Sequence, residues 1–185
     1  SRSCRVNHCR RYRTSTRTTK RQAERMQVVI VGAGYTGRRV LERLGEERAL
    51  GLTRSALDLD RPSASAPELP GAYSLLYTVT PRADVDGDPR LETLLSHLKP
   101  APQRFVYLST TGVYGDRGGR RVDETATMAP ASGRAKRRVA AEALLQKWCD
   151  EHGTERVILR VPGIYGPGRL GIERLRSGAP VIAEA

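Results

Sequence analysis

The chain has 185 residues and a formal net charge of +12, from 32 Lys and Arg against 20 Asp and Glu. Its length supports one domain with a real core, and no stretch approaches the ~18 consecutive apolar residues that a membrane-spanning helix needs. The three cysteines, Cys4, Cys9 and Cys149, outline no disulfide framework. The body is therefore expected to be a reduced, cytoplasmic protein with no membrane partner.

The charge is unevenly spread. Residues 1–25 hold eight Arg and one Lys against Glu24 alone, whereas the remaining 160 residues carry 23 basic and 19 acidic side chains. The basic segment is poor in large apolar residues and has no helical or alternating period. It cannot bury enough surface to offset its ordering entropy, so a disordered tail is expected over 1–25. An Arg-rich, acid-poor leader fits an organelle transit peptide, and an Arg arm fits phosphate contacts to nucleic acid. The favoured reading makes Met26 the natural start, because it directly precedes the first strand, and nucleic acid is not an expected partner of the body. Cys4, His8 and Cys9 lack a second ligand pair at finger spacing, so no metal site is assigned.

Gln27–Val31 is a continuous apolar run, as in a parallel strand covered on both faces. Tyr35–Glu47 then places Val40, Leu41 and Leu44 on one helical face, with Arg38, Arg39, Glu42 and Arg43 on the other. Leu50–Thr53 is a short second strand and Leu57–Leu59 a third. Ser63–Gly71 is loop-like, with Pro67 and Pro70 inside it and Pro62 just before. Tyr73–Thr80 is a strand stopped by Pro81. Pro89–Leu98 carries Leu91, Leu94, Leu95 and Leu98 at helical spacing, and Arg104–Ser109 is the next strand. Gly133–His152 is the longest helix, with Val139, Ala143, Leu144 and Trp148 as its expected buried stripe and Gly153 as its stop. Arg156–Val161 is the last strand, and a short helix is expected around Ile172–Ser177. Strands alternating with helices point to an α/β, doubly wound parallel-sheet Rossmann fold.

Gly32, Gly34 and Gly37 form a G-x-G-x-x-G that follows an apolar strand and opens an amphipathic helix, the context in which the pattern grips a dinucleotide. Gly32 permits the tight turn, Gly34 lets the backbone approach a diphosphate, and Gly37 allows close helix–sheet packing. The amides around Tyr35 and Thr36, at the positive end of the helix, then face the anion. An acidic residue closing the second strand would bind the ribose hydroxyls of NAD. Here the segment is Thr53-Arg54-Ser55, with Arg39 near the first turn, and Arg54 suits a 2′-phosphate. NADP is the expected cofactor, with NAD as the alternative. Asp58 falls where an adenine edge is read. Thr78 and Pro81 end a strand on the carboxyl edge, where open α/β sheets bind ligands, and are given a wall role beside Tyr77.

Three later segments narrow the reading: Tyr107-Leu-Ser-Thr-Thr-Gly-Val-Tyr-Gly-Asp116, Pro130-Ala-Ser-Gly-Arg-Ala-Lys136 leading into Val139-Ala-Ala-Glu142, and Leu159-Arg-Val-Pro-Gly-Ile-Tyr-Gly-Pro-Gly168. With the glycine turn, their order and spacing over residues 26 to about 176 resemble the extended short-chain dehydrogenase/reductases, which include NAD(P)-dependent sugar epimerases and dehydratases. The resemblance implies that Thr110 hydrogen-bonds the substrate oxygen at the reacting carbon. It also implies that Lys136 holds the nicotinamide ribose, and that backbone at Pro162 and Ile164 meets the carboxamide. The family's acid/base Tyr, four residues before the Lys, is Ser132 here, whose hydroxyl is too weak an acid to replace a Lys-tuned phenol directly. Tyr114, Tyr165 or a water relayed through Ser132 are the substitutes the sequence offers. Val31 also stands where the family's leading glycine lies.

The resemblance therefore implies an NAD(P)-dependent oxidoreductase or epimerase-like protein, an atypical member acting on a hydroxyl/carbonyl carbon, for example of a nucleotide sugar. The alternative is a non-catalytic NADP-binding or sensing protein that lacks the catalytic Tyr. Family members continue for about a hundred further residues. The expected layout is a tail over 1–25, a dinucleotide-binding domain over 26–168, and the start of a truncated substrate-binding region over 169–185.

Overall fold

The computed structural model describes residues 27–61, 67–172 and 176–178. The expected disordered tail lies outside these residues, as do the middle of the expected helix at Ile172–Ser177 and part of the Ser63–Gly71 loop. Strand β1 (Gln27–Val31) leads through the glycine turn into helix α1 (Tyr35–Leu44), then β2 (Ala49–Leu52) and β3 (Tyr73–Tyr77). Helix α2 (Pro89–His97), β4 (Arg104–Thr110), a 3₁₀ turn (Thr111–Tyr114), α3 (Gly133–His152) and β5 (Glu155–Val161) follow. The strands form one sheet in the order β2-β1-β3-β4-β5, and every neighbouring pair is parallel. The chain winds outward from β1 to β2 and then returns to the other side of β1 at β3. That reversal opens a crevice at the carboxyl ends of β1 and β3, the place where doubly wound sheets take ligands.

Alternation along the strands decides which side chains meet. Val29, Val31, Leu75, Tyr77, Phe105 and Tyr107 line one sheet face, and Leu91, Leu94 and Leu95 of α2 and Ala141, Leu145 and Cys149 of α3 complete that core. Helix α1 packs over β1 and β2. Strand β5 lies at the sheet edge, and its Leu159 is 43% exposed.

Helix ends follow local chemistry. The Asp88 carboxylate accepts from the Leu91 amide at 3.2 Å with Pro89 at the first helical position, which starts α2. Gly153, in the left-handed conformation at φ 63°, ends α3 by donating its amide to the Cys149 carbonyl. Helix α1 stops at Leu44, short of the expected Glu47, because Gly45 turns the chain at φ 78°.

Two sequence expectations need correction. Leu57–Leu59 is not a strand. The Leu57 amide donates to the Thr53 carbonyl at 2.9 Å, and the Asp60 amide to the Asp58 carboxylate at 3.1 Å, so the segment turns on itself. Leu57 and Leu59 are nevertheless buried and plug one end of the core. The buried stripe of α3 is also rotated from the one expected. Ala135, Arg138, Ala141, Glu142, Leu145 and Cys149 are buried, whereas Ala143 is exposed and Val139, Leu144 and Trp148 are half-buried. A search for apolar periodicity misses this face because two of its six positions are charged.

Candidate functional site

The three glycines of the first turn answer to different constraints. Gly32 has φ 93°, and a Cβ there would meet Thr78 Oγ1 and Val79 Cγ2 at 2.8 Å. A Cβ at Gly37 would lie 2.5 Å from the Gly32 carbonyl oxygen, so the helix can approach the turn only without one. Gly34 is unlike both, since the nearest protein atom to its missing Cβ is 4.0 Å away. The protein does not need a glycine there for packing; the open space lies on the cleft side. Helix α1 has neither a capping side chain nor an acidic residue in its first turn, which leaves its positive end available to an anion. Thr78 Oγ1 donates to the Gly32 carbonyl at 2.6 Å and braces the turn against β3. These features fit a dinucleotide diphosphate, with Gly32, Gly34, Tyr35, Thr36 and Gly37 as the residues that would hold it.

A cavity of about 320 Å³ runs from this turn along the end of β2, lined by Gly32, Gly34, Arg54, Asp58, Val79 and Arg90, among others. Arg54 sits at its rim and is not a free cation. Its Nε lies 3.4 Å from Asp58 Oδ1, and its Nη2 donates to Asp60 Oδ2. Arg90 makes a forked pair with the same Asp60 at 2.8 Å on each arm, and Arg82 stands 3.9 Å from it. The Arg90 hydrogen bonds, with the fields of Arg90, Arg54 and Arg82, hold the Asp60 carboxyl below its ordinary range despite some desolvation. One carboxylate thus shares three guanidiniums. Asp60 and Arg90 were missed from sequence because their partners are 30 residues apart. Pro81 lines a second hollow beside this cluster with Arg54, Arg82 and Arg90.

The residues singled out by the family resemblance lie at the end of β4 and on the first turn of α3 beside it. Thr110 closes that strand and accepts from the Gly112 amide at 3.2 Å, which starts the 3₁₀ turn. A Cβ on Gly112 would lie 3.5 Å from Thr110 Oγ1 and 3.9 Å from Ala135 Cβ, so the first turn of α3 packs beside Thr110. Ser132 caps that helix: its hydroxyl accepts from the Ala135 amide at 3.2 Å. Lys136 lies one turn further on and is exposed; its amide donates to the Ser132 carbonyl at 2.9 Å, and its ammonium has no hydrogen-bond or ion-pair partner among the described residues. Neither tyrosine offered as a substitute acid is presented to this edge by a contact. Tyr114 is buried and accepts from Arg160 Nη1 at 2.9 Å, and Tyr165 is 82% exposed. Pro162 and Ile164 are exposed on the turn after β5.

The cation driven into the carboxyl edge is Arg138, which sequence reasoning passed over. It is 6% exposed, and its Nη1 reaches the Tyr107 hydroxyl at 2.9 Å, the Leu108 carbonyl at 3.1 Å and the Val79 carbonyl at 3.4 Å. It therefore ties the ends of β3 and β4 together beneath the glycine turn. Burial pushes the Tyr107 phenol up to about 12, against the opposing pull of Arg138. The signal that could have found Arg138 was its seven-residue spacing from Leu145, on the same face as Ala135 and Glu142.

The model of the NAD dependent epimerase/dehydratase family matches residues 77–180. The dTDP-D-glucose 4,6-dehydratase of Homo sapiens is 32% identical over 65 residues, which is 35% of this chain and 19% of that protein. The structure of RMD from Pseudomonas aeruginosa complexed with NADPH superposes with a TM-score of 0.64 at 21% identity, covering 84% of this chain and 64% of that one. A candidate NAD-dependent epimerase/dehydratase from Methylobacillus flagellatus superposes with a TM-score of 0.64 at 32% identity, covering 82% and 59%. The chain spans about a fifth of the curated relative and less than two thirds of either solved chain. No helix among the described residues is long and apolar enough to cross a membrane.

Proposed function

The chain belongs to the NAD dependent epimerase/dehydratase family, and from that membership we propose that it binds NADP at the β1–β3 crevice and serves an oxidoreductase or epimerase-like reaction at a hydroxyl or carbonyl carbon. The observation that carries the cofactor reading is the open space at Gly34 beside an uncapped helix end, a cradle that packing alone leaves unexplained. NADP is favoured over NAD because no carboxylate closes β2 and because Arg54, Arg82 and Arg90 share Asp60. Asp58, Asp60 and Asp84 answer these guanidiniums, and Arg54, the most exposed of the three, is the one a 2′-phosphate would draw from its carboxylates. Asp58 stands on the same wall for the adenine edge.

In this reading Thr110 hydrogen-bonds the substrate oxygen, Lys136 holds the ribose next to the nicotinamide, and the backbone at Pro162 and Ile164 meets the carboxamide. Nicotinamide held there supplies hydride transfer to and from the substrate carbon. The substrate class is a small hydroxylated molecule, a nucleotide sugar being the favoured one. Residues 26–168 form the dinucleotide-binding unit, with the substrate-binding region starting at 169–185, and the protein works in the cytoplasm. Titration of intrinsic or nicotinamide fluorescence tests the cofactor reading. NADPH is expected to bind about tenfold or more tightly than NADH, and Arg54→Ala to erase most of that ratio. An absence of saturable binding by either dinucleotide overturns the proposal.

One observation favours a second reading, an NADP-binding protein without turnover. The Ser132 hydroxyl is committed to capping its own helix and cannot act as a tuned phenol. Under this reading Ser132→Tyr creates or greatly raises hydride transfer, followed through nicotinamide absorbance with a panel of nucleotide sugars. Under the enzymatic reading the wild type already turns over and the substitution adds little.

A further inference from the structure

The turn after β5 reaches back across the carboxyl edge of the sheet to the first residue of α1. The Tyr35 hydroxyl donates to the Pro167 carbonyl at 3.0 Å, a link between residues 132 positions apart. Gly166 makes the approach possible: it has φ 149°, and a Cβ there would lie 2.5 Å from the Tyr35 hydroxyl oxygen. Two guanidiniums rest on the Tyr35 ring, Arg39 at 3.6 Å and Arg169 at 4.3 Å from its centroid. Arg39 is further held by donation from Nη1 to the Tyr35 carbonyl at 2.9 Å. Both arginines are exposed.

The charge balance at this place differs from that of the rest of the cleft. Arg54, Arg82 and Arg90 each have a carboxylate at hand in Asp58, Asp60 or Asp84. Among the described residues, neither Arg39 nor Arg169 has a carboxylate within 4.0 Å. They gather instead where the uncapped positive end of α1 already stands, with no acid in its first turn. Two like charges on one ring beside a helix N-terminus repel one another unless an anion joins them. Packing alone would need neither the second guanidinium nor the strap to Pro167.

We infer that Tyr35, Arg39 and Arg169 form a clamp for a diphosphate ester, closing the glycine turn from the far side. Its occupant is the dinucleotide's diphosphate, because Tyr35 directly follows the turn that would cradle it. Tyr35 orients the two arginines and pins the turn that carries Arg169; the guanidiniums supply the charge-assisted hydrogen bonds. The inference rests on the cofactor reading above.

The test compares NADPH with adenosine 2′-monophosphate, which keeps the 2′-phosphate but carries neither phosphate of the diphosphate bridge, and with UDP-glucose, a diphosphate of the substrate class. Binding is measured by titration calorimetry on the full chain. Arg39→Ala and Arg169→Ala are each expected to weaken NADPH about tenfold, and Tyr35→Phe about threefold, while adenosine 2′-monophosphate shifts less than about twofold. Arg169→Gln, which keeps most of the stem on the ring, is expected to match Arg169→Ala and separates lost charge from lost packing. Unchanged NADPH affinity in both arginine variants overturns the clamp. A loss confined to UDP-glucose overturns its assignment to the cofactor. Failure of the wild type to bind NADPH at all is a different result, overturning the cofactor reading itself.

Discussion

Glu142 of α3 and Arg160 of β5 form a forked ion pair in the core, with Arg160 Nη2 and Nε 2.8 and 3.2 Å from Glu142 Oε2. Glu142 also accepts from the Ser109 hydroxyl, and Arg160 from its other arm reaches Tyr114. The network fastens β4, β5, α3 and the 3₁₀ turn to one another. Removing Glu142 strands the half-buried Arg160 guanidinium and the Ser109 hydroxyl without their acceptor. Glu142→Leu is expected to cost about 2–3 kcal/mol, and adding Arg160→Met to recover part of it. Urea denaturation of the single and double variants measures both.

The second and third glycines of the turn predict different phenotypes. Gly34→Ala meets no protein atom closer than 4.0 Å, so thermal stability is expected to fall little while dinucleotide affinity falls about tenfold or more. Gly37→Ala places a methyl 2.5 Å from the Gly32 oxygen and is expected to lower stability together with binding. Paired melting curves and titrations separate the effects.

Ser132 acts in the structure as a helix cap. Ser132→Ala is therefore expected to destabilise the fold by about 1 kcal/mol, and Ser132→Asp to restore most of that. A chemical denaturation series reads the difference. Loss in the aspartate variant equal to that in alanine would contradict the capping role.

The Asp60 cluster makes a pH prediction. Its guanidinium partners, Arg90 first, lower the carboxyl below its ordinary 3.8 in the folded state. A depressed folded value means the stabilisation is fully present above 3.8 and disappears as pH falls through the lower folded value. Asp60→Asn is thus expected to be less stable than wild type at pH 7, with the two curves converging as pH drops below 3.8. Urea midpoints across acidic pH follow the convergence.

Cys149 is buried between α3 and the sheet, and burial pushes its thiol up to about 11. At pH 8 only about a thousandth of it is thiolate, on a tenfold change per pH unit. Peptide-mapped alkylation at pH 8 is expected to leave Cys149 unmodified in the native protein and to label it after denaturation.

Local signals suffice for much of this molecule. The apolar run of β1, the glycine spacing, Asp88 before Pro89, and Gly153 after α3 each act on neighbours within a turn or two, so a linear reading places those elements. The Leu57–Leu59 segment shows the limit: its apolar residues are indeed buried, but side-chain hydrogen bonds from Asp58 bend the backbone out of the sheet. On α3 the linear reading chose the apolar positions, whereas packing selected a face with Arg138 and Glu142 because Tyr107, Ser109 and Arg160 offer them partners there. Thr110, Ser132 and Lys136 could be named from the family resemblance, yet only the fold shows the Ser132 hydroxyl spent on its helix and Lys136 exposed to solvent. Arg54 could likewise be named, but not its sharing of Asp60 with Arg82 and Arg90. What sequence alone determined is the strand–glycine turn–helix unit, because it is built from adjacent backbone. What tertiary structure decided is where the charges lie around that turn, since most depend on a partner brought close from a distant part of the chain.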